Sequence, residues 1–159
     1  MSQLWLRDSA DGYTQWTSGV SDIEVHAENG PFQVPISVPC RLGNLEETHF
    51  ALLDTGSART IIGGEFVELL EDDFGPELLP EMFIQSRLGG WKVSGPLHEL
   101  KISLPSLGNL GVDLDVNAQV VAIKDFPSLM VLGVYGFLES IRFAIEPSNE
   151  PMMYFGLYD

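Results

Sequence analysis

The sequence predicts an all-β chain closed into a barrel, with a glycine-tipped hairpin and one or two short helices. Three observations carry that expectation. Apolar and polar residues alternate with a period of two over many short stretches, as half-buried strands require. Turn signals punctuate those stretches at Gly43-Asn44, Gly63-Gly64, Gly89-Gly90 and Asn109-Leu110-Gly111. Helical periodicity is confined to about one segment, too little for a doubly wound α/β sheet, and closure into a barrel removes the open edges that so many strands would leave.

Residues 1–31 form an N-terminal extension rich in turn formers, Asp11-Gly12, Ser18-Gly19 and Asn29-Gly30-Pro31, in which Trp5, Trp16, Ile23 and Val25 anchor one or two short strands. The main domain spans 32–159. Phe32, Val34, Ile36 and Val38 alternate, and Pro35 marks that strand as an edge or a bulge because it lacks an N–H. Arg41 to Glu46 reads as a hairpin turn, and Thr48 to Leu53 as the returning strand that runs into Asp54. Thr60-Ile61-Ile62 is β-prone and stops at Gly63-Gly64. Glu65 to Leu70 is the best helix, with Phe66, Leu69 and Leu70 at helical spacing and Val67 near that face, ending before Gly75-Pro76. Leu78 to Met82 reads as a second short helical turn.

Phe83 to Leu104 reads as a long hairpin that turns at Leu88-Gly89-Gly90 and is interrupted on its return by Gly95-Pro96. Val112, Leu114 and Val116 alternate with Asp113 and Asp115; Gln119 to Ile123 and Val131-Leu132 are further strands. A helical turn after Gly133 carries Tyr135 and Leu138. Ser140 to Ile145 alternates, and the tail from Met152 to Tyr158 is unusually apolar.

Composition narrows the function. A chain of 159 residues, 45% apolar, supports one ordinary core. Eight Lys and Arg stand against 23 Asp and Glu, a formal charge of −15, which argues against binding nucleic acid or anionic lipid. Cys40 is alone, so the chain forms no internal disulfide and no thiolate cluster, which fits a reducing compartment. The first residues lack a basic-then-apolar leader, and no apolar run approaches the roughly 20 residues of a membrane span. A cytoplasmic protein is expected. His26, His49 and His98 are scattered, Glu71-Asp72-Asp73 lacks the alternation of a calcium loop, and neither glycine pair precedes a Lys-Ser/Thr step. No metal and no cofactor are expected.

The residues that point to chemistry are Asp54-Thr55-Gly56-Ser57, placed directly after Leu52-Leu53. A carboxylate at the end of a hydrophobic run reads as buried. Gly56 is expected to take backbone angles that strain other residues, and the hydroxyls of Thr55 and Ser57 to lock the loop and bond the carboxylate. Two such loops facing each other place two carboxylates about 3 Å apart, where they share one proton. One then acts as base toward water while the other polarises a carbonyl. The chain holds a single copy of the motif, so a pair of acids requires a pair of chains. The alternative is a turn aspartate that caps its own backbone.

Four features recur in a set order: Ala51-Leu52-Leu53 leading into Asp54-Thr55-Gly56-Ser57, then Arg87-Leu88-Gly89-Gly90-Trp91, then Val131-Leu132-Gly133, then the apolar terminal strand. In that order the sequence resembles the retropepsin-like aspartic proteases, the family of retroviral proteases and their single-domain bacterial relatives, over roughly Phe32 to Tyr158. The resemblance implies an acid-protease-like barrel and an aspartic endopeptidase, active as a homodimer on protein or peptide substrates. It implies catalytic roles for Asp54, Thr55 and Gly56, and substrate contacts from Ser57 and from a flap of Leu88, Gly89, Gly90 and Trp91. Ile61, Ile62 and Val131 are candidates for pocket or core. It also implies that the terminal strand interleaves with that of a partner. Val134-Tyr135-Gly136 stands where the family has an acidic or polar residue soon after Leu-Gly, and the extension before Phe32 has no counterpart in the minimal fold. A second reading keeps the fold without turnover, as an interaction module that holds a peptide.

Overall fold

The structure, a computed structural model, describes residues 5–8, 12–15, 17–20, 22–23, 36–85, 92–107, 111–146 and 152–158. In chain order the strands are β1 (Trp5–Asp8), β2 (Gly12–Gln15), β3 (Thr17–Val20), β4 (Asp22–Ile23), β5 (Ile36–Leu42), β6 (His49–Leu53) and β7 (Thr60–Gly63). One short helix, α1 (Glu65–Leu69), precedes β8 (Glu77–Gln85), β9 (Lys92–Leu104), β10 (Leu114–Ile123) and β11 (Met130–Leu132). A 3-10 turn at Leu138–Ser140 leads into β12 (Ile141–Glu146), and β13 (Met152–Leu157) follows.

Six strands close on themselves in the order β5-β6-β11-β7-β10-β9, with β9 returning to β5 through Arg41↔Ser103 and Leu42↔Ile102. The result is a closed, mixed barrel of the acid-protease-like kind. β8 is carried on β9 and the two-residue β4 on β5. β12, β13 and β3 form a separate antiparallel sheet with β13 in the middle, and β1 pairs with β2. Among the described residues no helix is long and apolar enough to cross a membrane.

The core follows from the alternation. Val38, Cys40 and Leu42 on β5 and Ala51 and Leu53 on β6 point inward, as do Leu100, Ile102 and Leu104 on β9 and Val116, Ala118 and Val120 on β10. Burial raises the Cys40 thiol to about 12, so it stays protonated. The alternation stops where both faces of the sheet are covered. β7, β11 and the end of β10 are buried at every residue, as a two-sided strand must be. Their outward residues, Ile61, Val121, Ile123 and Val131, form a second cluster with Leu97, roofed by Met82, Ile84 and Val93 of the hairpin and by Phe126 and Leu129.

Several expectations change. Leu78 to Met82 is strand, not helix: Pro80 disfavours helical angles at Leu79, and β9 supplies a partner. Gly95-Pro96 does not interrupt β9, because β8 shifts register between Leu79 and Met82 opposite it and the missing proline N–H falls at that irregularity. Arg41 and Leu42 belong to β5 rather than to the turn, which centres on Gly43-Asn44. The two segments from Leu114 to Ile123 are one strand. On α1 the buried face is Val67 with Leu70 just beyond, while Leu69 is 52% exposed.

The loop before β10 is tied down by Asp113, which accepts from the Ser106 N–H at 2.9 Å and pairs with Arg41. These contacts, the Ser106 N–H first, hold its carboxyl below the ordinary 3.8. A depressed carboxylate stabilises the fold above the ordinary range, and that contribution is lost as pH falls through the lowered value. The Ser106 amide resonance should therefore titrate with a midpoint below 3.8, which NMR can follow. Ile102→Ala, at a fully buried site, should remove about 2–5 kcal/mol of stability. Leu69→Ala should change it by less than about 0.5 kcal/mol, and urea denaturation compares the two.

Candidate active site

β11 is threaded between β6 and β7, parallel to the first (Val131↔Leu52, Leu132↔Leu53) and antiparallel to the second (Val131↔Ile61). Asp54 leaves the end of β6 still attached to this ladder, its N–H donating to the Leu132 carbonyl at 3.0 Å. The chain then turns at once, with the Ser57 N–H donating to the Asp54 carbonyl at 3.1 Å. The Gly56 N–H donates to Asp54 Oδ1 at 2.8 Å. Oδ2 has no hydrogen bond among the described residues.

Asp54 is exposed, not buried, because its strand ends at the barrel rim. Gly56 is not in the left-handed region, so conformational freedom is not what the turn uses it for. What matters is proximity: a Cβ there would lie 3.1 Å from Asp54 Oδ1, crowding the carboxylate that the Gly56 N–H holds. The Ser57 hydroxyl donates to the Arg59 carbonyl at 2.7 Å, bracing the loop rather than the carboxylate. Thr55 sits exposed at the turn.

Behind the turn, residues 57–60 lie alongside 133–135. The Val134 N–H donates to the Ser57 carbonyl at 2.9 Å, the Tyr135 N–H to the Ala58 carbonyl at 3.0 Å, and the Thr60 N–H to the Tyr135 carbonyl at 3.3 Å. Thr60 is fully buried; its hydroxyl donates to the Tyr135 carbonyl and accepts from the Gly133 N–H, both at 3.2 Å. Gly133 is required by close approach, since a Cβ would lie 2.2 Å from the Arg59 carbonyl oxygen. The Arg59 guanidinium stands 5.4 Å from the centre of the half-exposed Tyr135 ring. Glu139 accepts from the Gly136 N–H at 2.9 Å, fastening the segment after Gly133.

Thr60 and the Arg59–Tyr135 pair had no signal in the sequence beyond a β-prone stretch, because their roles depend on a contact across more than 70 residues. The structure separates the three pocket-or-core candidates: Ile62 belongs to the main core, while Ile61 and Val131 belong to the second cluster beneath the hairpin. Leu88, Gly89, Gly90 and Trp91 lie outside the described residues; the last described pair of the hairpin is Gln85↔Lys92. A cavity of about 430 Å³ lined by Val67, Glu68, Phe74, His98 and Lys124 does not include Asp54. Among the described residues no three of His, Cys, Asp or Glu gather as a metal-binding group.

No protein-family model matches the chain, and no curated protein matches it. Among solved structures it is similar to the crystal structure of a retropepsin-like aspartic protease from Rickettsia conorii, at 15% identity, with 88% of this chain and 93% of that chain covered and a TM-score of 0.46.

The brace behind the turn can be tested. Thr60→Val keeps the side-chain shape but strands the Gly133 N–H in a buried place, and should cost about 1–3 kcal/mol. Gly133→Ala should destabilise more, because backbone must move to admit the methyl group. Denaturant unfolding of both variants checks the order.

Proposed function

We propose that the chain is an aspartic endopeptidase that works as a homodimer and hydrolyses peptide bonds in extended polypeptide segments. The observation that carries this reading is the Asp54 turn. Its carboxylate is exposed at the end of a braced strand, with one oxygen held by the Gly56 N–H and the other open. The Asp-Thr-Gly motif occurs once, so the facing carboxylate has to come from a second copy.

Two acids in this relation share one proton. The ionised member takes a proton from water as the water oxygen attacks the scissile carbonyl carbon. The protonated member donates a hydrogen bond to the carbonyl oxygen, where negative charge develops. Transfer of a proton to the amide nitrogen then lets the C–N bond break, and the pair returns to its singly protonated state. Thr55 and Gly56 shape the turn. The substrate lies extended between this floor and the hairpin, with Ser57 beside the acid and the segment Leu88, Gly89, Gly90 and Trp91 as its proposed contacts. Apolar residues beside the scissile bond suit Ile61 and Val131, which roof residues Met82, Ile84 and Val93 now cover. The compartment that suits a lone protonated thiol is the cytoplasm.

One observation favours a different reading. The Gly56 N–H bond to Asp54 Oδ1 is also what a turn aspartate makes when it only caps its own backbone. The chain would then be a silent barrel that holds peptides.

The test compares wild type with Asp54→Asn on an unbiased peptide library between about pH 4 and 7. Cleavage by the wild type should fall roughly 10²- to 10⁴-fold or more in the variant, with self-association unchanged. Cleavage that survives the substitution removes Asp54 from the mechanism. Peptide capture without cleavage by either protein selects the silent barrel.

A further inference from the structure

The cavity of about 430 Å³ lies between α1 and the return strand of the hairpin, and no residue of the acid turn lines it. Its volume is that of a small-molecule site. The backbone keeps it open. On the β9 side a Cβ at Gly95 would collide with the Ala122 carbonyl oxygen, so no side chain fills the space there. On the other side the loop after α1 is stitched to β9. The Gly75 N–H donates to the Glu99 carbonyl at 2.8 Å, and the Glu99 N–H donates to the Pro76 carbonyl at 3.3 Å. The Phe74 ring stacks on the His98 ring, centres 5.0 Å apart and planes 26° apart. His98 Nδ1 lies 3.3 Å from the Gly75 carbonyl oxygen. A carbonyl only accepts, so Nδ1 carries the hydrogen, and in the neutral ring Nε2 is left as an acceptor.

Four charged side chains line the same space: Glu68 and Glu71 from α1 and its end, and Lys124 and Asp125 from the segment after β10. Among the described residues none of the four makes a side-chain hydrogen bond or an ion pair. A second cavity, of about 470 Å³, differs in this respect. The charges that line it already engage one another, Arg41 with Asp113 and Lys101 with Asp115. In the first cavity an amine alone would meet Lys124, and a carboxylate alone would meet three acids. A ligand that carries both charges satisfies both signs. Buried Val67 and Ala122 add apolar surface beside the stacked rings.

We propose that this cavity binds a small zwitterion with a flat apolar group, the chemistry of a free aromatic amino acid. The ligand ring lies against Phe74 and His98, the ammonium among Glu68, Glu71 and Asp125, and the carboxylate at Lys124. Nothing in the site depends on Asp54. Because α1 and β9 both line the cavity, an occupied site ties the helix to the hairpin.

Amide NMR of the full chain tests this with four probes: phenylalanine; phenethylamine, which lacks the carboxylate; phenylpropionate, which lacks the amine; and alanine, which lacks the ring. Phenylalanine at millimolar concentration should shift the Gly75 and Glu99 amides. Phenethylamine should bind roughly tenfold more weakly, and phenylpropionate and alanine more weakly still. Lys124→Glu should remove the advantage of phenylalanine over phenethylamine, and Glu71→Lys should weaken both amines. Both positions are exposed, so neither substitution threatens the fold. Amides that no probe moves overturn the site. Phenethylamine binding as tightly as phenylalanine overturns the zwitterion, and alanine doing so overturns the ring contact. Shifts that persist unchanged in both variants overturn the placement of the charges.

Discussion

The threading of β11 between β6 and β7 is the constraint on which the rest of the structure depends. It joins a strand from the end of the chain to two from its first half, and it sets where Asp54 leaves the sheet. Backbone hydrogen bonds carry most of this, but one side chain is decisive. Thr60 is buried, and its hydroxyl satisfies Gly133 and Tyr135 together. Without it, the acid turn and the segment after β11 would be joined to each other by backbone bonds and the Arg59–Tyr135 contact. The turn is therefore held by a residue buried behind it.

The same threading explains why the barrel has two apolar clusters rather than one. Strands at the middle of the sheet are covered on both sides, by the barrel interior and by the β8–β9 hairpin. The hairpin rests on apolar side chains of the sheet, so the space beneath it is closed by packing.

Much of this was legible in the sequence because it is local. Period-two alternation located the start of β5, the second half of β9, the start of β10 and β12, and the Gly63-Gly64 step located the end of β7. The motif at Asp54 was legible for the same reason, since a strand end, a turn and a carboxylate are adjacent residues. The failures were tertiary. Leu78 to Met82 has helix-compatible spacing, yet pairing with β9 decides its state. Leu69 fits a helical stripe, yet it is left 52% exposed. Asp54 follows two leucines and so reads as buried, yet the barrel rim lies one residue beyond Leu53. The Thr60–Gly133 contact joins residues 73 apart, and no local pattern announces it.

Cys40 has a practical consequence. The single thiol sits on β5, wholly enclosed, with its ionisation suppressed to about 12. The thiolate is the nucleophile in alkylation and oxidation, so the closed barrel hides the reactive species twice, by access and by charge. Alkylation of this sulfur then has to wait for the strands around it to part, and its rate becomes a built-in clock for how often the barrel breathes open.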